Sequence, residues 1–315
     1  MLSLSLAGVT SWVLCRQAPG KQECPPHRAC LPPTSDPLLR YQDFDAQRAL
    51  QTACTLAQTF GARPGGSARE RRVAEWLARR LKALGYETRL QDGIPVGHGL
   101  TTANAIGLRR HPGEPRHVLI GAHMDSIRRP GCVGANDNAS GVGVTLELAR
   151  LLATAPVPYS VEIVFFGAEE QQGSGSLFGS GYYAATAARR QALPLAMICM
   201  DMVGRGDWLC LWHGGPRDHT LAALFADSAG RLDLPLHTAP NPEGSDHVPF
   251  AWAGVPAAWL QRLPDAANHT RYDVPANLDP EALQQAGRLL ARVLLAMDKD
   301  DLEGLQHPAN VVAKP

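Results

Sequence analysis

Apolar residues recur along the chain with two periods, and the switches between them outline the fold. Over residues 67–84, Val73, Trp76, Leu77, Leu81 and Leu84 return every three or four positions, while Glu70, Arg71, Arg79 and Lys82 take the other faces. This spacing predicts an amphipathic helix that stops at Gly85 and carries Trp76 in the core. Helical patterns also cover residues 43–59, 140–153, 177–190, 218–229 and 280–297. Between them lie short apolar runs at 103–108, 117–122, 161–166, 196–202 and 257–260, which read as strands.

Strands that alternate with helices predict an α/β fold, a three-layer sandwich with a mixed, mostly parallel central sheet. The runs at 103–108 and 117–122 have no helix between them, so an antiparallel pairing is expected on that side. In such sheets ligands bind at the carboxyl ends of the strands. The polar residues of interest fall there.

Composition narrows the classes. The chain has 315 residues, 45% hydrophobic and 19% charged, enough for one large core or two modest ones. Lys plus Arg and Asp plus Glu stand at 30 each, so no strong field favours nucleic acid or an anionic membrane, and a small or peptide-like partner is expected. The seven cysteines, Cys15, Cys24, Cys30, Cys54, Cys132, Cys199 and Cys210, form no C-x-x-C pair. Residues 1–14 are apolar but too short to span a bilayer, and they lack the basic start of a strong signal peptide. With the Pro-rich stretch that follows, residues 1–37 read as an export signal and linker ahead of a single domain over 38–315. The expected location is secreted or periplasmic, with the cytoplasm still open.

Five loops carry candidate chemistry. The strand at 117–122 runs into His123 and then Asp125, an acid placed to orient an imidazole. Asn136, Asp137, Asn138 and Ser140 open a helix; capping needs one of them, and the glycines at 134 and 141 suggest a tight turn that projects a carboxylate. Glu169 and Glu170 come straight off an apolar strand, where paired negative charge is costly unless a cation compensates it. Asp201 interrupts another apolar run, and an isolated buried carboxylate is expensive. Ser245-Asp246-His247 and Asn268-His269-Thr270 lie in loops near the last strand, where a surface role is the plain alternative. Nitrogen and oxygen donors without thiolate suit zinc, manganese or cobalt. There is no H-E-x-x-H and no G-x-S-x-G. Trp208, Trp212, Phe250, Trp252 and Trp259 could line an apolar pocket, although large aromatics near strand ends are more often core.

The order His123-x-Asp125, Asn136 to Gly141, Glu169-Glu170, Asp201-Met202, Ser245-Asp246-His247-x-Pro249-Phe250 and His269-Thr270-x-x-Asp273 resembles the co-catalytic zinc aminopeptidases, a family that also contains glutaminyl cyclases. The resemblance covers residues 44–297 and implies a largely parallel eight-stranded sheet and two zinc ions per chain. It implies that His123 and Asp201 bind one zinc, Glu170 and His269 the other, and that Asp137 bridges them. Glu169 would be the general base, Asp125 would orient His123, and Asp273 would support His269. Residues 171–178 are longer and richer in Gly and Ser than the family pattern, which bears on substrate shape.

The implied activity is removal of N-terminal residues from peptides with a free amine. The alternatives are a glutaminyl cyclase working with one zinc, carboxypeptidase action, or a noncatalytic receptor-like domain. The last is disfavoured because the five donors and the base are all present. Neither a nucleic-acid partner nor a membrane span is expected, and the protein is taken as a monomer.

Overall fold

A computed structural model describes residues 37–170, 177–213, 219–240 and 244–306. The proposed export segment and most of the unusual 171–178 stretch lie outside them. Eight strands form one sheet: β1 (Glu87–Pro95), β2 (Thr101–Arg109), β3 (His117–His123), β4 (Ser160–Phe166), β5 (Ala196–Met200), β6 (Trp208–His213), β7 (Leu236–Pro240) and β8 (Ala257–Leu263), in the order β1-β2-β4-β3-β5-β8-β6-β7. β4, β3, β5 and β8 are parallel neighbours at the centre. β1, β2 and β6 supply the antiparallel pairings.

Side chains in the central strands alternate between two apolar layers, as the pleat requires. Val118, Ile120 and Ala122 of β3 join the larger cluster, with Ile198 and Met200 of β5. It is completed by α1 (Ala46–Cys54), α2 (Ala68–Ala83), α3 (Gly141–Leu152), α5 (His219–Arg231), α7 (Pro280–Ala296) and α8 (Lys299–Gln306). Leu119, Met197 and Cys199 face the other way, onto α4 (Phe178–Arg189) and α6 (Val248–Trp252). The result is the expected sandwich of helices on both faces of a mixed sheet.

Local signals set the helix ends. Asp45 caps α1 by accepting from the Gln47 and Arg48 N–H groups, and Ser67 caps α2 by accepting from Glu70. Gly85 follows α2 at φ +90°, a conformation that glycine adopts without strain. Trp76 is half-buried rather than sealed: it packs edge-on against Phe60 and lies under the Arg80 guanidinium.

The antiparallel expectation is corrected in its partners. β2 pairs with β4 and not with β3, because β4 inserts between them. Strands β1, β6 and β7 are not among the predicted strands: β1 and β7 are the edges of the sheet, half-exposed and polar enough to lack an apolar run, whereas β6, between β8 and β7, is apolar at Leu209, Cys210 and Leu211 and is missed all the same. Among the described residues no helix is long and apolar enough to cross a membrane.

Candidate metal centre

The carboxyl ends of β3, β4 and β5 converge with two loops on a single cluster. The Met124 N–H donates to the Phe166 carbonyl at 2.8 Å, which ties the exits of β3 and β4 together and brings His123 and Asp125 beside Glu169 and Glu170. Asp125 then fastens the acidic pair. Its Oδ1 accepts from the Glu169 N–H at 3.0 Å and its Oδ2 from the Glu170 N–H at 3.1 Å. The same Oδ1 stands 3.4 Å from His123 Nδ1.

The 134–141 turn is docked by the residues that read as generic caps. Asn138 Nδ2 donates to the Met200 carbonyl at 2.8 Å, Asn136 Oδ1 accepts from the Gly204 N–H at 2.9 Å, and Ser140 Oγ accepts from the Val203 N–H at 3.1 Å. These bonds hold Asp137 against the segment carrying Asp201. Gly134 sits at φ +60°, where an added Cβ would strike the Asp137 carbonyl and Ser126, so only glycine fits the turn.

Asp137 is the centre of the arrangement. His123 Nε2 lies 3.2 Å from Asp137 Oδ1 and 3.3 Å from Asp201 Oδ1. His269 Nε2 lies 3.0 Å from Asp137 Oδ2 and 2.7 Å from Glu170 Oε1. Two donor groups result, His123 with Asp137 and Asp201, and Asp137 with Glu170 and His269, each with its ligand atoms within 4.8 Å of one another. One oxygen of Asp137 serves each group.

The electrostatics of this cluster call for positive charge. Burial opposes a charge on His123, yet Asp201, Asp125 and Asp137 raise its pKa well above the ordinary value. Hydrogen bonds to Asp137 and Glu170 push His269 up to about 10. Burial pushes Glu170 up to about 8, with Asp137 adding to it. Asp137 itself is drawn upward by burial, but its bonds to both histidines hold it well below the carboxylate range. Asp201 Oδ2 accepts from the Ser245 hydroxyl at 2.8 Å, while its buried Oδ1 stands 3.3 Å from His123 Nε2 and completes a well-formed hydrogen bond with none of the described residues. Such an orphaned acceptor, within a set of nitrogen and oxygen donors, fits a divalent cation.

Glu169 belongs to neither group but lines the same cleft, of ≈ 360 Å³, with His123, Asp137, Glu170, Asp201 and His269. Burial, with Asp246 and Asp201 adding to it, raises its pKa well above the ordinary value. Asp246 is itself fully buried and pushed up to about 7 by that burial.

Several supporting groups differ from the sequence reading. Asp273 does not support His269; its Oδ1 accepts from the Asn136 N–H at 2.6 Å and its Oδ2 from the Asp137 N–H at 3.1 Å. Arg63 carried no motif signal, because its partners are backbone carbonyls: Met124 and Val133 at 2.6 Å and Gly134 at 2.8 Å. Burial pushes it down to about 10, so it stays cationic near Asp125, Asp273 and Asp137. Glu70, read only as a polar helix position, accepts from the Ala168 N–H at 2.8 Å, next to Glu169. Of the aromatics, Trp259 lines the cleft and Phe250 is core, whereas Trp208 and Trp252 are exposed.

Comparison with known proteins bears on family and fold. The chain is 30% identical over 215 residues to "Aminopeptidase YwaD" of Bacillus subtilis (strain 168), a match covering 64% of this chain and 46% of that protein, so it spans less than half of that relative's length. It is 28% identical over 273 residues to the "Glutaminyl-peptide cyclotransferase-like protein" of Mus musculus, covering 73% of this chain and 70% of that one. Among solved structures, a zinc aminopeptidase from Bacillus subtilis superposes with a TM-score of 0.72 at 19% identity, over 79% of this chain and 94% of the other. That likeness shows the fold. A glutaminyl cyclase from Porphyromonas gingivalis superposes with a TM-score of 0.70 at 26% identity, over 80% and 98%. Residues 104–294 match the model of peptidase family M28, and the chain belongs to that family.

Proposed function

We infer that the protein is a zinc-dependent aminopeptidase that removes N-terminal residues from peptides with a free amine. The observation that carries this reading is Asp137, whose two oxygens lie against His123 and His269 in two donor groups that share it. His123, Asp137 and Asp201 would hold one zinc, and Asp137, Glu170 and His269 the second. Two zinc ions bound there would polarise the scissile carbonyl and acidify a water.

The protein's own groups account for the proton movements. Glu169, buried and with a raised pKa, is the general base: its carboxylate takes the proton as the water oxygen bonds to the carbonyl carbon. The same carboxyl returns that proton to the amine nitrogen as the C–N bond breaks. Asp125 acts as an anchor, since it fixes both the His123 ring and the Glu169 backbone. Among the described residues the cleft is lined by no Lys or Arg, so nothing there draws in a polyanion.

A second reading, cyclisation of N-terminal glutamine, is supported by the greater span of the match to the mouse cyclotransferase-like protein. One experiment separates the two. Metal analysis of the purified chain is expected to give two zinc ions, and a peptide substrate is expected to release its free N-terminal amino acid. Pyroglutamate from a glutaminyl peptide, without a released amino acid, would establish the cyclase instead; hydrolysis left intact after verified metal removal would sink both.

A further inference from the structure

The segment that carries Glu169 hangs from side chains of three other parts of the chain. The Gly167 N–H donates to Asn104 Oδ1 of β2 at 3.1 Å, the Ala168 N–H to Glu70 Oε1 of α2 at 2.8 Å, and the next two N–H groups go to Asp125. The carbonyls of Gly167, Ala168 and Glu169 accept in turn from the N–H groups of Gly179, Phe178 and Leu177. Within this span Ala168 sits at φ +53°, where a Cβ is crowded, so the conformation persists only where the surrounding bonds hold it.

Glu70 is the member of this set that its own helix does not call for. Ser67 and Glu70 have the S-x-x-E spacing of a capping box, in which the glutamate reaches back to the N–H of the capping serine. Here the Ser67 N–H already donates to the Pro64 carbonyl at 3.0 Å. The Glu70 carboxylate is buried and directed elsewhere: Oε2 accepts from the Gly66 N–H at 2.6 Å, and Oε1 accepts from both the Thr102 hydroxyl at 2.7 Å and the Ala168 N–H. Burying a carboxylate is costly, and three donors offset that cost. The approach is close, since a Cβ added at Gly167 would strike Thr102 Oγ1 and Glu70 Oε1.

The consequence falls on Glu169 more than on Glu170. The Glu170 carboxylate is gripped at its far end by His269 at 2.7 Å and belongs to a donor group. Glu169 belongs to neither group, so the direction of its side chain comes from the backbone it leaves. That backbone is set by the left-handed turn at Ala168.

We propose that Glu70 is a positioning residue for Glu169: by holding the Ala168 N–H it fixes the turn that aims the Glu169 carboxylate at the attacking water. This rests on the reading of Glu169 as the general base. A misplacement of about 1 Å can cost about 10²-fold in rate, whereas the zinc donors, held by their own contacts, stay in place.

The test is a double-mutant cycle on zinc-saturated protein, with Glu70→Ala and Glu70→Asp each made alone and on Glu169→Gln. Aspartate keeps the charge but is one methylene short of Ala168, so it serves where the alanine variant does not fold. Alone, each is expected to lower kcat on the order of tenfold, the worth of one hydrogen bond to a charged group, with KM and zinc content little changed. On Glu169→Gln neither should lower kcat further, because the group they position is gone. A merely structural role would lower kcat by the same factor in both backgrounds, or only as zinc is lost. Either result, or an unchanged kcat in the single variants, would overturn the proposal and leave Glu169 as the base. Near-normal kcat in Glu169→Gln alone would remove the base itself, and the proposal with it.

Discussion

The Glu169 N–H and the Asp125 carboxylate are joined by a 3.0 Å hydrogen bond, so the acid that stands beside the His123 ring also fixes the backbone of the candidate base. Asp125→Asn keeps the size but replaces one acceptor oxygen with an NH₂ group, which cannot satisfy both the Glu169 and Glu170 N–H groups. Zinc affinity is expected to weaken by about 10–100-fold, with kcat falling at saturating zinc. Competition with a chelator of known affinity measures the first effect and steady-state hydrolysis the second. Equal zinc affinity in both proteins would remove Asp125 from this role.

Glu169 and Glu170 are neighbours in sequence with different work in the proposed mechanism. Glu169→Gln is expected to retain zinc and lose about 10²–10⁴ in kcat, since an amide accepts no proton from water, while KM changes little. Glu170→Gln withdraws an anionic donor from the group with Asp137 and His269, so zinc occupancy should fall together with activity. Zinc titration with parallel kinetics separates them, and near-normal turnover by zinc-loaded Glu169→Gln would exclude it as the base.

Asp273 holds the bridging loop. Asp273→Ala strands two buried N–H groups, those of Asn136 and Asp137, at about 1–3 kcal/mol each. A loss of about 2–6 kcal/mol in stability is expected, and Asp273→Asn, which keeps one acceptor, should lose about half as much. Urea denaturation at fixed zinc measures both variants; wild-type stability in the alanine variant would contradict the contact.

Removal of metal should make stability sensitive to alkali. His269 is raised from 6.5 to about 10, so its contribution is complete below pH 6.5 and is lost as pH rises through about 10. Glu170 is raised from 4.5 to about 8 and therefore also favours the fold when protonated, a contribution lost as pH climbs through about 8. Asp137 is depressed, so its own contribution is lost only in strong acid and does not offset the other two. The chelator-treated chain is expected to lose Tm steadily between pH 7 and pH 10, and the zinc-loaded chain much less, because a cation replaces those protons. Parallel slopes with and without zinc would argue against zinc at this cluster.

Much of the architecture and the candidate donors was legible locally. A buried strand is an apolar run, so a polar residue at its end stands out: His123 as the last residue of β3, Glu169 and Glu170 after β4, and Asp201 after β5 are all marked this way. Helices announced themselves by period and cap, as with Ser67 and Gly85 around α2. The edge strands β1 and β7 did not, because one-sided burial leaves no continuous apolar run.

Only the tertiary structure decided which groups meet. Asp273 lies four residues from His269, yet its carboxylate binds the backbone of residues more than a hundred positions away. The Arg63 guanidinium donates to backbone carbonyls, and carbonyl oxygens are present at every position of any sequence. The insertion of β4 between β2 and β3 likewise follows from strand order. Periodicity along a chain reports whether a residue is buried, and that is a local property. Hydrogen-bond partners and shared electric fields depend on distances through space, which are set once the sheet is assembled.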